Sequence, residues 1–228
     1  KEKMKRISEL ILYKDHHLIA LNKPAGLPSQ QDQTGESNAH VMAMAYAHRD
    51  LYVVHRLDRR VSGVLIFAKT KVAAAALSKQ WEEHKVKKIY LAIVPTADIP
   101  PVGQVKHYLT YDNKLNITYT SDEPKVGADE AILDYQVLQQ LDNFMVLRID
   151  LITGRKHQIR AQLAALGVPI RGDIKYGSKR TNPDGSIDLH AYKLYFQHPA
   201  KLEYKKLIAP LPEESLWQHV DKELIKSI

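Results

Sequence analysis

The chain has 228 residues, 44% of them hydrophobic, enough for one large or two modest domains with a sizeable core. A net charge of +7 and a sequence pI of about 9.3 suit a polyanionic partner without demanding one. The absence of cysteine excludes disulfides and thiol catalysis and fits a reducing cytoplasm. No apolar run approaches the ~20 residues of a membrane span, and the basic start, Lys1 to Arg6, lacks the apolar core of a signal peptide and reads as a solvated helix start.

In chain order, residues 18–22 predict a strand that feeds a Lys23-Pro24 turn, and the polar stretch 30–37 predicts a loop. Residues 51–54 and 64–68 predict two strands around a charged turn, with Ser62-Gly63 as turn residues. The alanine-rich stretch 71–87 predicts a helix, 88–94 a strand and 95–103 a connector. Short strands are expected at 105–109 and 117–120, with a loop over 121–127. A hairpin is expected from 132–140 and 144–152, turning at Asp142-Asn143. Ile159, Leu163 and Leu166 then fall at helical spacing, with Thr153 available as a cap and Gly167 and Pro169 as the stop. A loop over 176–188, strands at 189–196 and 202–208 and a last helix over 213–226 complete the chain. Many strands with few interleaved helices predict α+β architecture with a mostly antiparallel sheet. Neither repeats nor low-complexity tracts are present.

Two stretches carry chemistry. His55-Arg56-Leu57-Asp58-Arg59-Arg60 sets one carboxylate among three arginines at a strand end. Arginines favour the ionised form, and an ionised carboxylate held there can serve as nucleophile, base or ion-pair anchor; a purely structural Arg–Asp turn is the plain alternative. Arg155, Lys156, His157 and Arg160 crowd the start of a helix, where cations oppose the macrodipole. Such charges call for an anion or a buried carboxylate, or else form a solvated basic face.

Taken together, these stretches resemble the RluA-type RNA pseudouridine synthases over nearly the whole chain. Lys23 to Pro28 resembles the family's first motif, His55 to Asp58 with Ser62-Gly63 its catalytic motif, Lys88-Ile89-Tyr90 its Lys-x-Tyr motif, and Thr153 to Arg160 its Thr-Gly-Arg-x-His-Gln-Ile-Arg motif. Gly172-Asp173, Tyr176-Gly177 and Leu189-His190-Ala191 follow in the family's order. Val61, where threonine is commoner, and the extra charge of Arg60 are small departures.

The resemblance implies one catalytic domain over residues 1–228 without an N-terminal S4-like domain, and a bent mixed sheet in two halves around a basic cleft. It also implies a cytoplasmic, monomeric enzyme acting on ribosomal or transfer RNA, not DNA, without cofactor or metal. Uridine would be isomerised to its C-glycoside: the N–C bond breaks, the uracil turns over and carbon 5 joins the sugar. Asp58 would be the essential carboxylate, attacking the sugar, adding to the base or assisting elimination. Arg155 would pair with it, Tyr90 would stack on the uracil or move a proton, and Arg56 would fill the gap left by the flipped base. Lys23, His55, Lys88 and Arg160 are expected at the RNA, although Lys23 and Lys88 also suit solvated turn positions. Asp173 reads as a turn residue. His55, His157 and His190 match no compact zinc spacing. Two other functions fit less well: a non-catalytic RNA binder of the same fold, and a glycosidase-like hydrolase, for which the usual second carboxylate is missing from the motifs.

Overall fold

The computed structural model describes residues 5–228. A one-turn helix α1 (Ile7–Leu10) leads into β1 (Ile11–Lys14) and β2 (Leu18–Lys23), then α2 (Ala39–Ala47), β3 (Tyr52–Val53), β4 (Ser62–Ala68) and α3 (Lys71–Glu82). Five strands follow: β5 (Lys87–Pro95), β6 (Val102–Asp112), β7 (Ile117–Ser121), β8 (Asp129–Gln140) and β9 (Phe144–Leu151). Next come α4 (Gln158–Ala165), β10 (Leu189–Gln197), β11 (Tyr204–Ile208) and α5 (Lys222–Lys226). This is α+β architecture with a mostly antiparallel open sheet, as the sequence predicts. The chain forms two compact units, one of residues up to Lys87 with Ala191–Leu211, the other of Lys88–His190 with Pro212–Ile228.

In the first unit, β2 lies antiparallel to both β1 and β4, and β11 to β10. All seven residues of β4 are buried, which is why its sequence is a continuous apolar run without alternation. Helix α3 covers one face. Its cap, Thr70, accepts the Ala73 N–H at 3.1 Å, and Ala73 and Leu77, four residues apart, reach a core that includes Leu18, Ile66 and Phe196. In the second unit the order β5-β9-β8-β6-β7 is antiparallel throughout. The β8–β9 hairpin closes where expected, with Leu141 N–H donating to Phe144 O at 2.8 Å. Helix α4 buries Ile159 and Leu163 and, through Gln162, donates to the carbonyls of Val105 and Ala131.

Several expectations change. Ser62 and Gly63 are not turn residues but the first two of β4; the turn sits at Asp58–Val61, closed by Val61 N–H to Asp58 O at 3.0 Å. Gly63 is glycine for another reason: its φ is +122°, and a Cβ there would lie 2.3 Å from the Ala191 carbonyl oxygen. The strand expected over 51–54 shrinks to two residues. Helix α3 stops at Glu82 rather than 87, and His84 follows in the left-handed region. The helix expected over 213–226 is broken: a 3₁₀ turn covers Ser215–His219, Val220 is extended, and α5 starts anew where Asp221 accepts the Glu223 and Leu224 N–H groups. Helix α1, capped at Arg6, follows the expected helix start for one turn only, whereas α2 and β1 were not anticipated; α2 begins at Asn38, whose side chain accepts the Val41 N–H. Lys1 to Met4, part of the expected basic start, lie outside the described residues.

Candidate active site

Asp58 stands, half-exposed, on a turn that is laced to another turn some thirty residues earlier in the chain. Gly26 N–H donates to Arg59 O at 2.7 Å, and Arg59 Nε returns a bond to Gly26 O at 3.1 Å. Ser29 Oγ donates to Leu57 O at 2.7 Å and accepts the Leu57 N–H at 3.0 Å. The backbone of both residues flanking Asp58, at Leu57 and at the Arg59 carbonyl, is therefore held by partners outside the turn. Ser29 was not singled out in the sequence; its place directly after Leu27-Pro28 was the only signal.

Lys23 ties the lacing together from below. It is 0% exposed, and its Nζ donates to three carbonyls: Leu27 at 2.8 Å, Pro24 at 2.9 Å and Arg59 at 3.2 Å. Burial pulls its ammonium down to about 7, while the Asp58 charge opposes that pull. A lysine so placed cannot reach a phosphate, so the expected RNA contact becomes a tether for the Asp58 turn. His55 also turns to the protein: its Nε2 accepts the Ile66 N–H at 2.9 Å, and its ring stacks on Trp81 with centroids 4.7 Å apart. That nitrogen is taken up by the protein, and the histidine anchors β4. Arg59 pairs with Glu36 and, at 3.7 Å, with Asp32, tying down the polar 30–37 loop. Arg56 and Arg60 are exposed beside Asp58 in sequence.

In the second unit, Tyr90 lies half-buried on β5 opposite Ile149 of β9. Half-buried Lys88 lies two residues before it; burial pulls its ammonium down to about 8, and its Nζ would be 3.1 Å from a Cβ placed on Gly154. The basic stretch precedes α4 instead of forming its first turn, so less of its charge opposes the helix dipole than expected. Thr153 does not cap the helix; its Oγ1 accepts the Ile132 N–H at 2.9 Å and donates to Gln158 Oε1 at 2.8 Å. The N-cap is His157, in the left-handed region at φ +55°. Gln158, 2% exposed, organises the bend, because Oε1 also accepts the Arg155 N–H at 3.0 Å and Nε2 donates to Ile132 O at 3.1 Å. Arg155 itself is exposed, with Nε donating to Glu130 O at 3.2 Å and Nη1 4.0 Å from the Asp129 carboxylate.

Arg160 differs from its expected place at the RNA. It is 6% exposed and grips the fully buried Asp173 with two bonds, Nε to Oδ2 at 2.7 Å and Nη2 to Oδ1 at 2.9 Å. Its guanidinium also lies 4.9 Å from the centre of the Tyr176 ring. The Tyr176 hydroxyl accepts the Thr118 N–H at 2.8 Å and bonds His157 Nδ1 at 2.7 Å. The fork of Arg160 is thus spent on a buried carboxylate, and the 172–177 block braces the bend that carries Arg155. Asp173 was correctly read as structural, but as half of a buried ion pair rather than as a simple turn residue.

The family model described as RNA pseudouridylate synthase matches residues 17–165, a span that contains the Asp58 turn, Tyr90 and Arg155. The chain belongs to the RNA pseudouridylate synthase family. It is 35% identical to the tRNA pseudouridine synthase C of Haemophilus ducreyi over 91% of this chain and 92% of that protein. It is 34% identical to the dual-specificity RNA pseudouridine synthase RluA of Vibrio cholerae over 93% of this chain and 89% of that one. Among solved structures, human RNA pseudouridylate synthase domain containing 4 superposes with a TM-score of 0.73 at 26% identity, covering 90% of each chain. No helix among the described residues is long and apolar enough to cross a membrane.

Proposed function

We propose that this pseudouridylate synthase isomerises uridines in structured ribosomal or transfer RNA, with Asp58 as its essential carboxylate. The observation that carries the reading is the lacing of the Asp58 turn. A half-exposed acid whose two neighbours, Leu57 and Arg59, are held through their backbones by Gly26, Ser29 and Lys23 is presented at fixed geometry, as a group acting on a flipped nucleotide must be. The relatives, one a transfer RNA pseudouridine synthase and another a dual-specificity RNA pseudouridine synthase, support RNA as the partner. A cytoplasmic monomer working without cofactor belongs to the same proposal; an isomerisation has no group to import and the chain has no cysteine.

The roles follow from what each side chain has left to offer. Tyr90 supplies the ring that stacks on the uracil. Exposed Arg155 supplies the cation for charge developing at the reacting nucleotide. Exposed Arg56 fills the stack as the target base leaves. Lys23, His55 and Arg160 hold these groups in place. In the reaction, the sugar–N1 bond breaks, a bond from the same sugar carbon to C5 forms, and the C5 hydrogen is lost as N1 gains one.

That hydrogen supplies the assay. RNA carrying tritium at C5 of uridine should release it to water with the wild-type protein. Asp58→Asn, which keeps volume and removes charge, should release none while still binding RNA. Tritium release by Asp58→Asn at the wild-type rate would overturn the assignment, and free uracil among the wild-type products would make the protein a hydrolase.

A further inference from the structure

The first unit carries a second basic feature at the end of the β2–β4 ladder opposite to the Asp58 turn. An open groove of about 590 Å³ is lined by Lys14, Asp15, Ile19, Tyr46 and Lys69, among others, a size typical of ligand sites. Its base is fixed by the β1–β2 turn, where Asp15 N–H donates to Leu18 O and Lys69 N–H to His17 O. Lys69 Nζ donates to the Asp15 carbonyl. Lys14 Nζ lies 5.0 Å over the Tyr46 ring and donates to its hydroxyl at 2.7 Å. Arg49 reaches the same place by donating to Lys69 O at 2.7 Å.

The charges here do not balance. Three cations converge, and Asp15, the carboxylate lining the groove, is already committed. Asp15 accepts from the N–H groups of His17 and Leu18 on one oxygen, and bonds the Tyr13 hydroxyl and His198 Nε2 on the other. Burial raises its pKa, but these bonds outweigh burial and hold it well below the carboxylate range. The ammonium of Lys69 is pulled down first by burial and further by the neighbouring charges of Arg49 and Lys14, with Asp15 opposing. Cations gathered against their own repulsion around an open groove, beside an aromatic ring, form the combination that binds phosphate and stacks a base.

We infer that this groove binds a backbone phosphate of the same RNA, several nucleotides from the target uridine. The ladder sets the separation. Leu18 pairs with Ala68 at the groove end and Lys23 with Gly63 at the Asp58 end, five residues apart along β2. At ~3.4 Å per residue that is roughly 17 Å, or about five stacked nucleotides of one strand. The inference rests on RNA being the substrate, and the test separates the two ideas.

Two C5-tritiated RNAs are compared, one ending about three nucleotides from the target uridine on each side and so shorter than that reach, the other extending about ten on each side and so longer. Lys14→Glu and Arg49→Glu alter exposed side chains, so both variants should fold, and equal melting temperatures confirm it. Lys222→Glu, remote in sequence and on α5, reports a general charge effect. The expected result is that wild-type kcat/KM is higher on the long RNA, and that Lys14→Glu/Arg49→Glu lowers the long-to-short ratio about three- to tenfold, as loss of two exposed charge contacts predicts. The salt slope on the long RNA should become shallower by about 0.7. Lys222→Glu should leave the ratio as it is. A ratio unchanged in Lys14→Glu/Arg49→Glu, or lowered equally by Lys222→Glu, overturns the groove. Inorganic phosphate that raises the wild-type melting temperature through these lysines while the ratio stays unchanged also overturns it, assigning the groove to a free anion. Absence of tritium release from either RNA would instead remove the proposed function.

Discussion

Replacing Lys23 with methionine tests whether the Asp58 turn depends on a buried amine. The change keeps most of the volume and deletes three bonds, to Leu27 O, Pro24 O and Arg59 O. Each buried carbonyl left unmet costs about 1 kcal/mol or more, so the loss is roughly 3 kcal/mol before any relief. Relief exists, because methionine carries no charge to bury, and its size depends on pH. In the folded protein Lys23 titrates at about 7, against an ordinary value of 10.5. Between those values the unfolded chain holds a proton that the folded chain has released, so stability from this group rises with pH across the window. It is fully present above 10.5 and lost as pH falls to 7 and below. At about 1.4 kcal/mol per pH unit, the wild type gains roughly 2 kcal/mol over Lys23→Met between pH 7 and pH 9.

Urea unfolding of both proteins at pH 6, 7, 8 and 9 measures the gap directly. The gap should be constant from pH 6 to about 6.5 and then widen steadily towards pH 9. A gap that stays constant up to pH 9 would mean that the three carbonyls keep the ammonium charged against burial, and would refute the reasoning. Turnover in Lys23→Met should fall at every pH, because Arg59 O, the atom released, belongs to the residue next to Asp58.

Other outcomes follow from the second unit. Asp173→Asn strands the Arg160 guanidinium in a site with 6% exposure and should cost ~3–5 kcal/mol, read as a drop in melting temperature; Asp173→Asn combined with Arg160→Met should recover part of it, and no recovery would contradict the pairing. Arg155→Ala removes an exposed side chain with one bond to a carbonyl and a 4.0 Å approach to Asp129, so stability should change by about 1 kcal/mol or less while tritium release collapses. A large loss of stability with normal turnover would make Arg155 structural. Gln158→Leu should lose activity with RNA affinity retained, because the Arg155 N–H and the Thr153 hydroxyl both depend on Oε1; binding and single-turnover rates separate the two.

The strands were legible because their signals are local. The uninterrupted apolar run of β4 and the hairpin of β8 and β9 appear in the sequence as they stand in the fold. The elements that were missed depend on distant partners. Val220 is pinned in the core and Asp221 N–H bonds Gln139, so a sequence with helical character from 213 to 226 is broken in two by contacts with β8. Gly63 looked like a turn glycine because nothing nearby in sequence reveals that β10 passes within contact of its Cα. Thr153 looked like a cap because threonine before a helix commonly is one, but Gln158 and Ile132 compete for the same hydroxyl and win.

The site residues divide along a line that sequence cannot draw. A motif lysine or arginine in a basic protein suggests a phosphate contact, and Lys23 and Arg160 read that way. Both are instead internal, because the chain has buried acceptors for them: three carbonyls for one, Asp173 for the other. A cation with a complete set of protein partners has no energetic reason to bind RNA, whereas Arg56, Arg60 and Lys156 remain exposed. On the proposed function, phosphate recognition would fall to residues outside the buried motif positions, and the Lys14–Lys69 groove, lying outside all the motifs, is one place where such residues gather.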